Sequence, residues 1–151
     1  MVAVLVAGLG AAVPAQASDA SLRKAVKAQD KKANVAADDF AEASTDLESV
    51  VGREDARLAV VKFKSVVARL RTTVAKERAT TARVKRGRTQ YLAAISRVLT
   101  GLKTFDQGLI AFDPDAPAKA VQLFERSATQ LESAIAKRDK AVKLIGGRSA
   151  G

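Results

Sequence analysis

The chain has 151 residues, enough for one domain, and carries a formal net charge of +10 with few glycine, proline or aromatic residues. It contains no cysteine and no histidine, which excludes disulfides, thiolate zinc sites, the commonest haem and zinc ligands and the commonest general base. The composition indicates an all-α fold with a thin core, and the positive charge favours polyanionic partners.

The first seventeen residues are predicted to be a secretory signal peptide, cleaved before Ser18. An apolar run over 2–13 is followed by Pro14 and by Ala15-Gln16-Ala17, whose small first and third residues suit signal peptidase. The run is too short to span a bilayer as a helix, and no Lys or Arg precedes it. The sequence thus predicts export to the envelope, periplasm or medium. The alternative is an apolar helix packed into the fold.

A first helix is predicted from Ser18 to Gly52, because apolar residues recur there at three- and four-residue steps. Ser18 or Ser21 can cap its start, and Gly52 is placed to end it. Its predicted apolar face comprises Leu22, Val26, Ala33, Ala36, Phe40, Leu47 and Val50.

Two further apolar runs meet near Gly87, and the chain connection there is open to two interpretations. Glycine after a basic turn is typical of a helix C-terminus, and Thr89 could cap the next helix. The apolar phase nevertheless continues across Gly87, and one glycine inside a helix costs only about 1 kcal/mol. The two runs are Val60, Phe63, Val67, Leu70, Val74 and Val84, then Tyr91, Ile95, Val98, Leu102, Phe105, Leu109 and Phe112.

A fourth helix is predicted after residues 113–117, which read DPDAP and break the third run. Asp113 or Asp115 is a suitable N-cap, with proline at the first helical position. Gly146-Gly147 should end this helix, and residues 148–151 should form a frayed tail. Its predicted apolar face comprises Val121, Phe124, Ala128, Leu131, Ile135, Val142 and Ile145.

These elements predict a single domain over 18–147, folded as an up-down-up-down four-helix bundle. The alternative is one long central helix from about 54 to 112, with the first and last helices packed back along it. The bundle is favoured because it buries more of a thin, alanine-rich core.

A basic heptad repeat runs through residues 62–86, which read KFKSVVA RLRTTVA KERATTA RVKR. Each unit opens with two basic residues separated by one other residue. The two basic side chains flank the apolar sector of the helix, as the charged side chains at the solvated edges of ordinary bundle helices do. On the first helix, Asp38, Glu42 and Asp46 step by four along one face. In an antiparallel hairpin this row is predicted to pair with Arg57, Lys62, Lys64 and Arg69.

Charge is unevenly distributed along the predicted bundle. Segments 18–37, 69–99 and 128–151 contain 19 basic and 5 acidic residues, a net charge of +14, whereas 38–68 and 100–127 contain 7 and 11. Self-repulsion at the basic end costs stability, which a bound polyanion would relieve. The candidate polyanion-binding residues are Lys24, Lys27, Lys31, Arg71, Lys76, Arg78, Arg83, Lys85, Arg86, Arg88, Lys137 and Lys140.

Motifs for catalysis or cofactor binding are not found in the sequence. There is no phosphate loop, dinucleotide fingerprint, nucleophile elbow or metal-ligand triad. Glu125 and Glu132 lack the Glu-x-x-His partners of a di-iron bundle. Tyr91 is predicted to be a packed ring with its hydroxyl at the bundle end. The small residues Ala94, Gly101 and Gly108 predict close helix approach.

Three functions are therefore compatible with the sequence, none of them enzymatic and none requiring a cofactor. The favoured one is an exported binding or scaffold bundle whose basic end contacts an anionic envelope polymer, an anionic lipid surface or an acidic protein. The second is a nucleic-acid-binding protein, although no aromatic stacking residues accompany the basic faces. The third is a structural bundle whose charge only maintains solubility.

Overall fold

The computed structural model describes residues 15–146, and in that range the chain forms four helices and no strand. The helices are α1 (Ala15–Ala43), α2 (Val50–Lys76), α3 (Ala82–Ile110) and α4 (Ala118–Ile145). Except for 15–17, where α1 begins, the predicted signal peptide lies outside the described residues. The predicted tail 148–151 also lies outside them.

The helices form a four-helix bundle, as predicted, in which α1 packs on α2, α2 on α3 and α3 on α4. The alternative with one helix over 54–112 is wrong, because α2 and α3 are separate. The predicted turn at Gly87 is also wrong: the chain turns at 77–81, and Gly87 is buried within α3. Asp19 of α1 stabilises this turn. Its carboxylate accepts hydrogen bonds from the Thr80 amide, the Thr80 hydroxyl and the Thr81 hydroxyl.

The first interhelical connection likewise lies before the predicted glycine. Helix α1 ends at Ala43, and Ser49 caps α2 by accepting a hydrogen bond from the Gly52 amide at 2.9 Å. Gly52 is therefore inside α2. A Cβ at this position would lie 1.8 Å from the carbonyl oxygen of Asp46, so glycine is required because the preceding loop crosses close to the helix.

The ends of α4 agree with the prediction at one terminus only. Pro117 rather than Asp113 or Asp115 occupies the N-cap position, and the Asp113 carboxylate instead accepts a hydrogen bond from the Asp115 amide at 3.0 Å. The C-terminus is confirmed at Gly146. Its backbone is left-handed (φ 89°), and its amide donates to the carbonyls of Val142 and Lys143.

Small residues bring α3 and α4 into close contact. Gly101 and Gly108 of the predicted stripe are buried, and Gly87 continues the same sevenfold spacing. Side chains of α4 occupy the space that a Cβ would need: Leu131 lies over Gly101, and the Phe124 ring lies over Gly108. The predicted close approach of helices is therefore confirmed.

The apolar face predicted for α4 is partly wrong. Val121 and Ile135 are each 46% exposed, and Ala128 is exposed as well. Because α3 approaches so closely, the buried positions along most of α4 are the small residues one place earlier in the sequence, Ala120, Ser127, Ala134 and Ala141, whereas the predicted Val142 and Ile145 are buried as well. The Ser127 hydroxyl satisfies its hydrogen-bonding requirement by donating to the Gly101 carbonyl at 2.9 Å.

Candidate functional site

The four helices bring the three basic segments together in one half of the molecule. We define the basic half as described residues 18–37, 69–99 and 128–146, which hold 18 basic and 5 acidic residues, a net charge of +13. Hydrogen bonds between residues of different segments show that the three segments are in contact. Ser21 donates to Glu77 at 2.6 Å, and Arg23 donates to the Ile145 carbonyl at 2.7 Å.

Three arginines of the basic half bind backbone carbonyls at helix C-termini. Arg88 donates to the carbonyls of Val74 and Ala75 at the end of α2, and Arg83 donates to the Lys143 carbonyl near the end of α4. Arg23 caps the end of α4, as noted above. The last carbonyls of a helix lack intrahelical donors and carry partial negative charge, so they are suitable partners for guanidinium groups. Two predicted candidates, Arg83 and Arg88, therefore have structural roles.

The Asp19 carboxylate is the most deeply buried charged group described, with 2% exposure. Burial acts to raise its pKa, but the hydrogen bonds from Thr80 and Thr81 outweigh that effect and hold the pKa below the usual 3.8. The residue therefore remains ionised and serves as the acceptor for the α2–α3 turn. Only the fold reveals this role, because Asp19 is about sixty residues from the turn in sequence.

A second polar cluster joins α1, α3 and α4 at the middle of the basic half. The Tyr91 ring is fully buried, as predicted, but its hydroxyl is not at the bundle end: it donates to Asp30, midway along α1, at 2.6 Å. Arg138 donates to Asn34 at 3.3 Å and to Asp139 at 3.2 Å. Burial raises the pKa of Asp30, against the lowering effects of the Tyr91 hydrogen bond and the Arg138 charge. Burial and the nearby Asp30 carboxylate likewise raise the pKa of Tyr91.

The remaining cations of the basic half are exposed, and within the described part of the chain their side chains have no hydrogen-bonding or ion-pair partner. We refer to them as the unpaired cations. They include ten of the twelve predicted candidates, and the full set is Lys24, Lys27, Lys31, Lys32, Arg69, Arg71, Lys76, Arg78, Lys85, Arg86, Arg97, Lys137, Lys140 and Lys143.

One open cleft collects several predicted candidates at the α2–α3 turn. It has a volume of about 540 Å³, and its lining includes Lys76, Arg78, Lys85 and Arg88. Glu77 is its one acidic lining residue, and that carboxylate already accepts from Ser21. Lys24, Lys27, Lys31, Lys137 and Lys140 do not line this cleft, so the predicted site residues are distributed around the basic half and do not form one pocket.

The predicted acidic row does not form the predicted ion pairs. Lys62 pairs with Asp39, and Lys64 pairs with Asp106 at 3.3 Å. The helix rotation that buries Ala36 and packs the half-buried Phe40 against the core places Asp39, rather than Asp38 or Glu42, beside α2. Asp46 lies in the loop and accepts from the Ser49 amide and hydroxyl. Within 15–146, Arg57 and Arg69 have no ion pair.

Residues 15–146 contain no cluster of three or more potential metal-ligating side chains. No helix in this range is both long enough and apolar enough to cross a membrane. In comparisons with known proteins, the chain matches no family model, no curated protein and no solved structure.

Proposed function

We propose that this protein is an exported binding protein that holds an anionic polymer against the basic half of its bundle. The observation that carries the proposal is the set of unpaired cations, which are exposed on all four helices of one half. A binding role suits a surface on which exposed cations predominate.

The contrast between paired and unpaired cations supports this proposal. Four of the five carboxylates of the basic half have partners within it: Asp19 holds a turn, Asp30 accepts from Tyr91, Glu77 accepts from Ser21, and Asp139 pairs with Arg138. The remaining cations repel one another, and at physiological salt they interact over about 8 Å. A flexible polyanion that follows the surface can contact several of them at once, which gives affinity through many individually weak contacts.

Binding at increasing salt concentration tests the proposal directly. We expect the full-length mature protein to bind heparin, duplex DNA or anionic liposomes at low salt, with an affinity that falls as salt rises. The ranking of these three probes at physiological salt identifies the polymer class. The proposal fails if none of them binds at low salt, and tightest binding to DNA with retention in the cytosol would favour the nucleic-acid function instead.

Charge reversal at matched sites separates a defined surface from net charge. The triple variant Lys76→Glu, Arg78→Glu and Lys85→Glu changes unpaired cations at the α2–α3 cleft. The matched control reverses three exposed cations of the other half, Lys103, Lys119 and Arg126. We expect the first triple to weaken heparin binding by more than about tenfold and the control to have a much smaller effect. Equal losses would show that only net charge matters.

The proposed export is supported by the sequence of residues 1–17. We expect mass spectrometry of culture fractions to find the protein outside the cytosol with Ser18 as its first residue. A cytosolic protein that retains Met1 would contradict export while leaving the binding test unaffected.

A further inference from the structure

A groove runs along the outer side of the α3–α4 contact. Two clefts of about 310 Å³ each lie along it, and they adjoin at Arg97, which lines both. The lining of one includes the small residues Ala93 and Ala94. From Gln90 to Thr100 the groove extends about 15 Å along α3, given a rise of 1.5 Å per residue.

One end of the groove is cationic and the other is neutral but polar. Arg97, Lys137 and Lys140 line the first cleft together with Gln90. Beyond Arg97, the lining residues are Thr100, Thr129, Gln130 and Ser133. No carboxylate lines either cleft.

The neutral end presents hydrogen-bonding groups toward a ligand. The Gln130 amide oxygen accepts from Thr104 at 2.9 Å, and its amide nitrogen has no partner within the described part of the chain. The Thr100 and Thr129 hydroxyls donate to backbone carbonyls one turn earlier, which leaves their oxygen lone pairs as acceptors. Ser133 is exposed, and its hydroxyl has no bond to another residue in 15–146.

We infer that this groove binds an acidic polysaccharide whose charges are sparse and whose hydroxyl groups are many. The inference rests on the proposed function and names its ligand class. A polyphosphate or nucleic acid carries a charge on every unit, and half of its charges would lie beside neutral hydroxyls that cannot neutralise them. An acidic polysaccharide instead places a carboxylate at Arg97 and the lysines, and its sugar hydroxyls can exchange hydrogen bonds with Thr100, Gln130 and Ser133.

The test removes groove hydroxyls without changing any charge. The double variant Thr100→Val and Ser133→Ala is compared with a matched control outside the basic half, Thr45→Val and Ser65→Ala, where the hydroxyls are also exposed. The probes are hyaluronan, which carries a carboxylate on every second sugar, and linear polyphosphate. We expect the groove variant to bind hyaluronan about tenfold more weakly, since two hydrogen bonds are lost, and to bind polyphosphate unchanged. The control should bind both probes like the parent protein.

The outcomes distinguish this inference from the proposed function. If polyphosphate binds and hyaluronan does not, or if both double variants lose hyaluronan equally, the groove inference is overturned while polyanion binding stands. If neither polymer binds at low salt, the proposed function itself fails. Circular dichroism melting of all variants identifies any loss that comes from unfolding, and backbone amide shifts at Thr100 and Ser133 on adding hyaluronan give a readout independent of the variants.

Discussion

The basic half and the remainder of the bundle satisfy their cations in different ways. In the remainder, Lys62 and Lys64 pair with carboxylates, and Arg53 donates to the loop carbonyls of Leu47 and Glu48 and lies 4.3 Å from the centre of the Phe112 ring. In the basic half, carboxylates are scarce, and three arginines bind helix C-terminal carbonyls. In the basic half, the guanidinium groups of Arg23, Arg83 and Arg88 stabilise helix ends, whereas the lysines and the other arginines apart from Arg138 remain available at the surface.

The cores of the two regions also differ. Four phenylalanines pack in the remainder, with the Phe40 and Phe105 rings edge to face at 4.9 Å between centroids. The basic half has an aliphatic core crossed by two polar connections, Asp19 to the α2–α3 turn and Asp30 to Tyr91. The stability of the basic half should therefore depend on hydrogen bonds and on pH. The stability of the remainder should depend on the packing of its phenylalanines.

The largest expected effect comes from Asp19. Asp19→Ala leaves three hydrogen-bond donors of the turn without their acceptor, and we expect the free energy of unfolding to fall by about 3 kcal/mol. Asp46 also holds a loop, through Ser49, but it is exposed, so Asp46→Ala should destabilise much less. Urea denaturation of both variants measures the contrast. Equal losses would show that burial of the acceptor is unimportant.

The same carboxylate gives an acid-sensitive contribution to stability. Because the folded-state pKa of Asp19 lies below the ordinary 3.8, its stabilisation is complete above that value and is lost as pH falls through the lowered pKa. Asp19→Asn should lack this pH dependence. The difference in the free energy of unfolding between parent and variant, measured by urea denaturation, should therefore shrink below pH 3.8.

The next effect tests packing between α3 and α4 in each region. Gly108→Ala should raise helix propensity by about 1 kcal/mol, yet its Cβ would lie 2.5 Å from the Phe124 ring. We expect a net loss of about 2 kcal/mol in the free energy of unfolding. Gly87→Ala in the basic half should also destabilise, because its Cβ would meet Ile145 at 2.8 Å.

Ala93→Gly is the control for helix propensity in this series. Ala93 is exposed on α3, so this change should cost about 1 kcal/mol through propensity alone. Thermal melting compares the three variants. A gain in stability for Gly108→Ala would mean that the helices separate at little cost, and it would refute the role assigned to the glycines.

A smaller effect is expected at the Tyr91–Asp30 bond. Tyr91→Phe removes the hydroxyl that lowers the pKa of Asp30, and we expect a loss of about 1.5 kcal/mol at neutral pH. Because the folded-state pKa of Asp30 is raised, the ionised carboxylate opposes folding above that pKa, and the penalty is relieved as pH falls. The loss in Tyr91→Phe should therefore shrink in acid.

Asp30→Asn is the matched variant for that measurement. It keeps an acceptor for the Tyr91 hydroxyl but cannot ionise, so stability at neutral pH should be unchanged or higher. The free energies of unfolding of parent and variant should converge as pH falls through the raised pKa of Asp30. The parent should gain stability in acid through Asp30, whereas it should lose stability in acid through Asp19. A clear loss of stability in Asp30→Asn at neutral pH would show that attraction to Arg138 outweighs desolvation.

The smallest effect separates two arginines of one helix. Arg88→Gln removes the bonds to the end of α2 and should cost about 1 kcal/mol, whereas Arg86→Gln, at an unpaired cation, should stay within about 0.5 kcal/mol. Both variants lose one positive charge, so net charge cannot explain a difference in melting temperature. Equal changes would contradict the capping role of Arg88.

Much of the architecture could be predicted because it depends on local periodicity. The helical repeat of apolar residues determined that the chain is all-α, and the break at 113–117 and the end at Gly146 followed from proline and glycine. The basic segments could be predicted to lie at one end of the bundle because consecutive helices were expected to be antiparallel. Tyr91 was correctly predicted to be buried because its position matches the apolar phase of α3.

The tertiary structure alone decided what the glycines and arginines do. Absence of a Cβ permits both a turn and a close helix contact, and only the neighbours of Gly52 and Gly87 show that both serve contacts. Over most of α4 the buried face shifted by one residue, because α3 approaches closely enough to select the small residues Ala120, Ser127 and Ala134. Arg88 and Asp19 have partners that are distant in sequence. Neither periodicity nor charge counting could therefore show that Asp19 holds a turn, or that Arg88 stabilises a helix end and is not available for binding.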